Sequence, residues 1–256
     1  MTMDAPPAIS DRRAWETVLQ SIESELLSGA LKPGDHLPPE RQLAAELGVG
    51  RSSVREAVRV LEVLGLIRTA TGSGPTAGAI IVATPSGGMS ALMRLQVAAQ
   101  GFAVADVVKT RLLLEASVVA ELAAARAGDS AQSRQAQATD PLDPARKLLD
   151  AMDSPALTEA EFLALDAQFH VALANASGNQ VVAAMMSGLR NSIESYVLAA
   201  VPNLPSWPRV AARLRVEHGG ILAAIEAGDQ TDAAAHVTAH IRRYYAESRL
   251  GPPNSP

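Results

Sequence analysis

Asp166 and His170 stand four residues apart in EFLALDAQFHVALANASG, a run that otherwise reads as the buried face of a helix. At that spacing both side chains leave one helix face, about 6 Å apart. Ionisable groups on an apolar face need partners, because an unpaired buried charge is costly. Two further histidines can supply them. His218 lies on an apolar stripe with Ile221, Leu222 and Ile225, and His240 lies on another with Val237, Ile241 and Tyr244. The turn AGDQ falls near the midpoint between these histidines. If the flanking helices fold back antiparallel, each histidine lies about ten residues, or ~15 Å, from the turn, and the two meet at one height. Three imidazoles and a carboxylate converging inside a helix bundle can bind a divalent metal; zinc is the first expectation, with nickel and manganese as alternatives. For any one histidine alone, a satisfied core residue is the competing reading, and the four positions together favour the metal. His236 lies toward the edge of its stripe and is left out of the set. His36 sits in an exposed turn and is assigned no role.

The elements that must hold such a site are helical. Hydrophobic residues make up 48% of the 256-residue chain and aromatics only 3%, and alanine is heavily used, which disfavours an all-β fold. There is no cysteine, so disulfides, thiolate metal sites and cysteine nucleophiles are excluded. No segment approaches the uninterrupted apolar length of about 20 residues that a bilayer requires. The opening MTMDAPPAISDRR has no apolar signal core. A cytoplasmic protein without a membrane partner is expected. Beyond residue 88 the pattern predicts roughly seven helices, over 89–99, 104–127, 144–152, 158–176, 179–200, 206–227 and 230–249. The polar stretch GDSAQSRQAQATDPLDP between the second and third reads as a surface loop, and Asn179 reads as a helix cap.

The N-terminal part has a different grammar. Val18, Ile22, Leu26 and Leu27 mark an amphipathic helix, and LKPGDHLPPE is turn chemistry. A short helix ERQLAAELG, the tight GVG and a second helix RSSVREAVRVLEVLG follow. Two extended runs, LIRTA and AIIVA, flank TGSGPTAG and predict a glycine-tipped hairpin. This order is that of a winged helix-turn-helix. Arg51, Ser52, Arg55 and Arg59 fall opposite the apolar stripe of Val54, Ala57, Val58, Leu61 and Leu64, and Arg41 opens the preceding helix. Such a face can offer bidentate arginine contacts to guanine and a helix N-terminus to phosphate. The net charge of −5 does not exclude DNA, because a local basic cluster can be hidden in the sum. On charge alone, pairing of these arginines with glutamates on an exposed helix is the plainer alternative.

The run GALKPGDHLPPERQLAAELGVGRSSVREAVRVLEVLGLI resembles the N-terminal signature of the GntR family of bacterial transcription regulators, through PG, LPPER, LA, LGV, R, VREA, LE and GLI in order. The resemblance covers residues 14–82 and assigns DNA contacts to Arg41, Arg51, Ser52, Ser53 and Arg55, with Gly72 at the wing tip. Gly50 stands where the family usually has serine or threonine, and the wing TGSGPTAGAIIV is longer than usual. The runs VVKTRLLLEASVVAELAAARA, LDAQFHVALANASGN and EHGGILAAIEAGDQTDAAAHVTAHI resemble the all-helical FCD effector domain of the FadR-like subfamily. Its metal-binding members carry the pattern that Asp166, His170, His218 and His240 match. Those members typically bind a small carboxylate beside the metal, and Arg111 matches an arginine that would pair with it. An i,i+4 salt bridge from Arg111 to Glu115 is the equal alternative.

The expectation is therefore a mainly α protein with an N-terminal winged helix-turn-helix and a C-terminal all-α, FCD-like bundle. Its parts are a tail at 1–10, the DNA-binding domain at 11–83, a linker at 84–88, the ligand-binding and dimerisation domain at 89–250, and a tail at 251–256. The resemblance implies a homodimeric regulator, taken as a repressor, that binds double-stranded operator DNA and answers to a lactate-, pyruvate- or sugar-acid-like carboxylate. It is not expected to be an enzyme. The alternatives are a metal-dependent hydrolase, disfavoured because no separate acid/base pair stands near the ligands, and a DNA-binding protein with a purely structural metal.

Overall fold

The computed structural model describes residues 11–70, 78–82, 102–128, 139–204 and 206–248, with isolated positions between 88 and 99. Several expected features lie outside the described residues: both tails, most of the linker, part of the helix at 89–99, most of the polar loop, and the wing tip with Gly72. The chain divides into two compact units, Met1–Ala91 and Leu92–Pro256.

In the first unit α1 (Asp11–Ser28), α2 (Glu40–Leu47) and α3 (Arg51–Val63) precede β1 (Ile67–Ala70) and β2 (Gly78–Ile81). Val18 and Ile22 of α1 are buried with Leu43 of α2, Val54, Ala57 and Leu61 of α3, and Ile67 and Ile81 of the strands. Leu27 departs from the expected stripe and is 82% exposed, because one residue beyond Leu26 the helix has already turned off its buried face. Gly48 ends α2 in the left-handed conformation (φ 65°), and Val49 N–H bonds Ala44 O, which makes the tight turn into α3. The strands pair antiparallel, with Ile67 opposite Ile81. The segment expected to be only a turn does more. Leu37 N–H donates to Ala79 O (2.8 Å) and Ile81 N–H to Asp35 O (2.9 Å), so residues around His36 pair with β2 as a short third edge.

The second unit contains α4 (Val104–Gly128), α5 (Asp143–Met152), α6 (Glu159–Ala176), α7 (Gln180–Ala200), α8 (Trp207–Ala227) and α9 (Gln230–Glu247). Helix α4 packs most extensively on α9, α8 pairs with α9, and α6 is contacted by α4, α5 and α7. Helix α6 is thus central, with Phe162, Leu163, Ala167, Phe169 and Leu173 buried around it. A helix that is apolar nearly all round needs firm ends. Thr158 closes a capping box: its Oγ1 accepts from Glu161 N–H, while its own N–H donates to the Glu161 carboxylate (2.8 Å). Asn179 caps α7 by accepting from Val181 and Val182 N–H. Between α8 and α9, Gly228 adopts φ 76°, and a Cβ there would approach Ala127 of α4 to 3.0 Å. A side chain at Gly228 would therefore meet both strain and α4, so the turn that sets the level of His218 against His240 is tightly specified.

The capping box carries a direct expectation. Thr158→Ala should cost about 1 kcal/mol and lower the melting temperature by roughly 2–4 °C, with secondary structure content retained by circular dichroism.

Candidate metal centre and DNA-facing helix

Helix α6 places Asp166 and His170 on one face, α8 contributes His218 and α9 contributes His240, and all four are at most 4% exposed. One ligand atom from each lies within 4.8 Å of the others. His218 Nε2 is 3.0 Å from Asp166 Oδ1, and His170 Nε2 is 3.2 Å from His240 Nε2. The imidazole centroids are 4.6–5.4 Å apart. Phe169 lies 4.8 Å from the His218 ring and forms an apolar wall. The mirror relation about AGDQ is realised as the α8–α9 hairpin.

The donor set fits a divalent ion. Both ring nitrogens of His218 are buried without an aligned hydrogen-bond partner among the described residues, and leaving such groups unsatisfied costs about 1–3 kcal/mol each. Two imidazole Nε2 atoms facing each other can share at most one proton. A cation among the three Nε2 atoms and an Asp166 carboxylate oxygen would satisfy those four groups, though not His218 Nδ1, and this donor chemistry suits zinc, nickel or manganese. Burial pushes the His240 imidazole down to about 4; a hydrogen bond to Glu217 opposes that, and the neighbouring histidines reinforce it. His240 is therefore neutral near pH 7, as a ligand must be. Burial disfavours the Asp166 anion, yet His218, His170 and His240 hold the carboxyl well below the usual carboxylate range.

Partners outside this four-residue cluster brace it. Glu115 Oε2 lies 2.5 Å from His170 Nδ1, and the His240 Nδ1 contacts Glu217 Oε2 at 3.0 Å. Arg111, buried on α4, donates from Nε to Glu115 Oε1 (2.6 Å) and from NH1 to the Tyr196 hydroxyl (2.7 Å). Among the described residues its NH2 finds no hydrogen-bond partner. Despite burial, Arg111 overcomes desolvation and keeps Glu115 well below the usual carboxylate range. A narrow cavity beside Asp166 and His240 is lined also by Arg111, Tyr196, Tyr244 and Tyr245. The Arg111–Glu115 salt bridge is thus formed, and the same guanidinium keeps a free nitrogen at a cavity beside the ligands. Tyr196 and Glu217 were not singled out from sequence; the one available signal was the i,i+4 spacing of Arg213 and Glu217. His236 is outside the cluster, paired with Asp232 at 3.5 Å.

In the first unit, Arg41, Arg51, Ser52, Arg55 and Arg59 are exposed. Ser53 is not with them: it is 3% exposed and turned into the core. Arg55 NH2 lies 3.2 Å from Glu40 Oε2, so its ion pair runs between helices rather than along α3. Gly50 offers no side-chain cap to α3.

A model of bacterial regulatory proteins of the gntR family matches residues 15–76, and a model of the FCD domain matches residues 106–243. The Glc operon transcriptional activator of Escherichia coli (strain K12) is 31% identical over 215 residues, which cover 84% of this chain and 80% of that protein. The HTH-type transcriptional repressor NanR of Cronobacter sakazakii is 27% identical over 245 residues, covering 93% and 86%. Among solved structures, Streptococcus agalactiae GntR aligns with a TM-score of 0.51 at 23% identity, covering 90% of this chain and 98% of that one.

The depressed His240 value has a signed consequence for the metal-free protein. The unfolded chain takes up this proton near pH 6.5, whereas the folded chain takes it up only at about 4. The stability that this histidine contributes is present above pH ~6.5 and is lost as the pH falls to about 4. Urea melts of chelator-treated protein across that window should show the decline.

Proposed function

The chain belongs to the GntR family, with an FCD domain following its DNA-binding unit, and from that premise we propose that it is a homodimeric repressor whose operator binding responds to a small organic acid held beside a divalent metal. It is a DNA-binding transcription regulator of the GntR/FCD type, and its relatives are regulators rather than enzymes. The observation that carries the finer reading is the meeting of Asp166, His170, His218 and His240 beside a cavity where buried Arg111 keeps an unpaired NH2.

A bound zinc, nickel or manganese ion would supply a Lewis-acidic position for an effector oxygen. The chain's own groups do the rest. Arg111 presents its free nitrogen to a carboxylate while Glu115 and Tyr196 hold the guanidinium in plane. Tyr244, whose hydroxyl donates to Val197 O (2.7 Å), and Tyr245 line the narrow cavity, and we take the effector to be a lactate-, pyruvate- or sugar-acid-like carboxylate. Buried aromatic walls exclude water and strengthen the charge pairing.

At the other unit, Arg41, Arg51, Ser52 and Arg55 would contact the operator, with the exposed N-terminal turn of α3 entering the major groove. A dimer suits an operator with two-fold symmetry. Effector binding would favour one arrangement of the helical unit and change the spacing of the paired recognition helices. The relatives include an activator and a repressor, so an operator-driven reporter checks the sign of control. Among the described residues no helix is long and apolar enough to cross a membrane, and we take the site of action to be the cytoplasm.

Two measurements test this reading. Arg51→Ala or Arg55→Ala should weaken operator binding by ~1–3 kcal/mol in fluorescence anisotropy, and undiminished binding would sink the DNA assignment. His218→Ala with His240→Ala should abolish bound metal by elemental analysis, and a thermal-shift screen of lactate, pyruvate and sugar acids should respond only in the metal-loaded wild type. Full metal stoichiometry in the double variant would show the ligand set to be wrong.

A further inference from the structure

The three ligand imidazoles are not equally supported. All three turn Nε2 inward, toward one another or toward Asp166. Their Nδ1 atoms differ. His170 Nδ1 lies against Glu115 without an aligned hydrogen bond, and Glu115 is buried and already engaged by Arg111. Among the described residues His218 Nδ1 has no hydrogen-bond partner. His240 Nδ1 meets Glu217, whose two carboxylate oxygens divide their work. Oε2 takes His240 at 3.0 Å, while Oε1 lies 3.0 Å from Arg243 NH1 and 3.2 Å from Arg213 Nε. Arg213 is in turn paired with Glu247.

Glu217 is next to His218 along the chain, yet it serves a different ligand, on the neighbouring helix. An acceptor-only oxygen at Nδ1 selects the tautomer that carries its proton there, which leaves the Nε2 lone pair for an ion. Arg243 donates to the other oxygen and the Arg213 guanidinium pairs with it by charge, which restrains the carboxylate from rotating away. This is the arrangement in which a group outside the ligand set orients a ligand and raises its basicity.

We propose that Glu217 is a positioning residue for the metal centre: clamped by Arg213 and Arg243, it fixes the tautomer and the ring angle of His240. The inference rests on the metal-centre reading above and adds that the affinity is set partly from α8, through a residue that touches no ion. Arg243, 54% exposed at its side chain, extends the support to the protein surface.

The test uses the full-length protein, zinc alone, and competition against a chromogenic chelator. Glu217→Ala should weaken zinc binding by ~10–100-fold, and Glu217→Gln, which keeps an acceptor but loses the charge, should fall between it and the wild type. Nitrogen-15 chemical shifts of His240 in the metal-free protein should change from the Nδ1–H tautomer in wild type to a mixture in Glu217→Ala. A merely structural role would lower the melting temperature without moving the tautomer. Unchanged affinity in Glu217→Ala, or an unchanged His240 tautomer, overturns the proposal. Failure of the wild type to bind zinc, nickel or manganese overturns the metal-centre reading instead. If Glu217→Ala does not fold, Glu217→Gln and Arg243→Ala carry the same two measurements, and wild-type affinity in both defeats the inference.

Discussion

The second unit is organised around one constraint: ionisable side chains at its centre must answer one another, because water cannot. Asp166, His170, His218, His240, Arg111 and Glu115 are each at most 4% exposed. Isolated, any one of them would oppose folding by several kcal/mol. Together they form a chain of contacts from the Tyr196 hydroxyl through Arg111 and Glu115 to His170, and on to His240 and Glu217. The apolar packing of α6 against α4, α5 and α7 supplies the stability that allows this core to be polar. Capping at Thr158 and the constrained turn at Gly228 hold the helices at the levels where those contacts close.

Much of this was legible in the sequence, and the reason is periodicity. The helix spans from 104 onward follow the apolar spacing, and the α8–α9 hairpin follows from two histidines placed evenly about AGDQ. What stayed hidden lies across helices. Glu217 cannot be linked to His240 by any repeat along one helix, since the contact depends on how two helices face each other. Tyr196 reaches Arg111 over 85 residues of chain. The third edge beside β2 was hidden for another reason: proline and glycine mark the turn but not which strand its backbone will pair with.

Ser53 is a different case, because periodicity and family resemblance pointed in opposite directions. It falls on the same four-residue row as Ala57 and Leu61, which the apolar pattern assigns to the core, whereas the resemblance assigned it to DNA. The side chain follows the row. Arg55 is instructive in the same way. The plainer reading of its charge, pairing with a glutamate, holds geometrically, but the partner is Glu40 of another helix rather than a residue one turn along.

That Arg55–Glu40 contact bears on how the protein would feel ionic strength. Each phosphate neutralised by a free cationic side chain displaces condensed counterions, and the logarithm of affinity falls with that of salt by about 0.9 per contact. Arg55 is not a free cation, since Glu40 already accompanies it. Engaging a phosphate would exchange one anion for another and leave Glu40 facing the like charge of the duplex. Arbitrary DNA offers only that exchange, whereas a guanine edge lets Arg55 donate to neutral acceptors without forfeiting its partner. If Arg55 meets the operator as proposed, the Glu40 carboxylate beside it would tilt binding away from indiscriminate electrostatic attachment and toward sites where bases, rather than backbone charge, supply it.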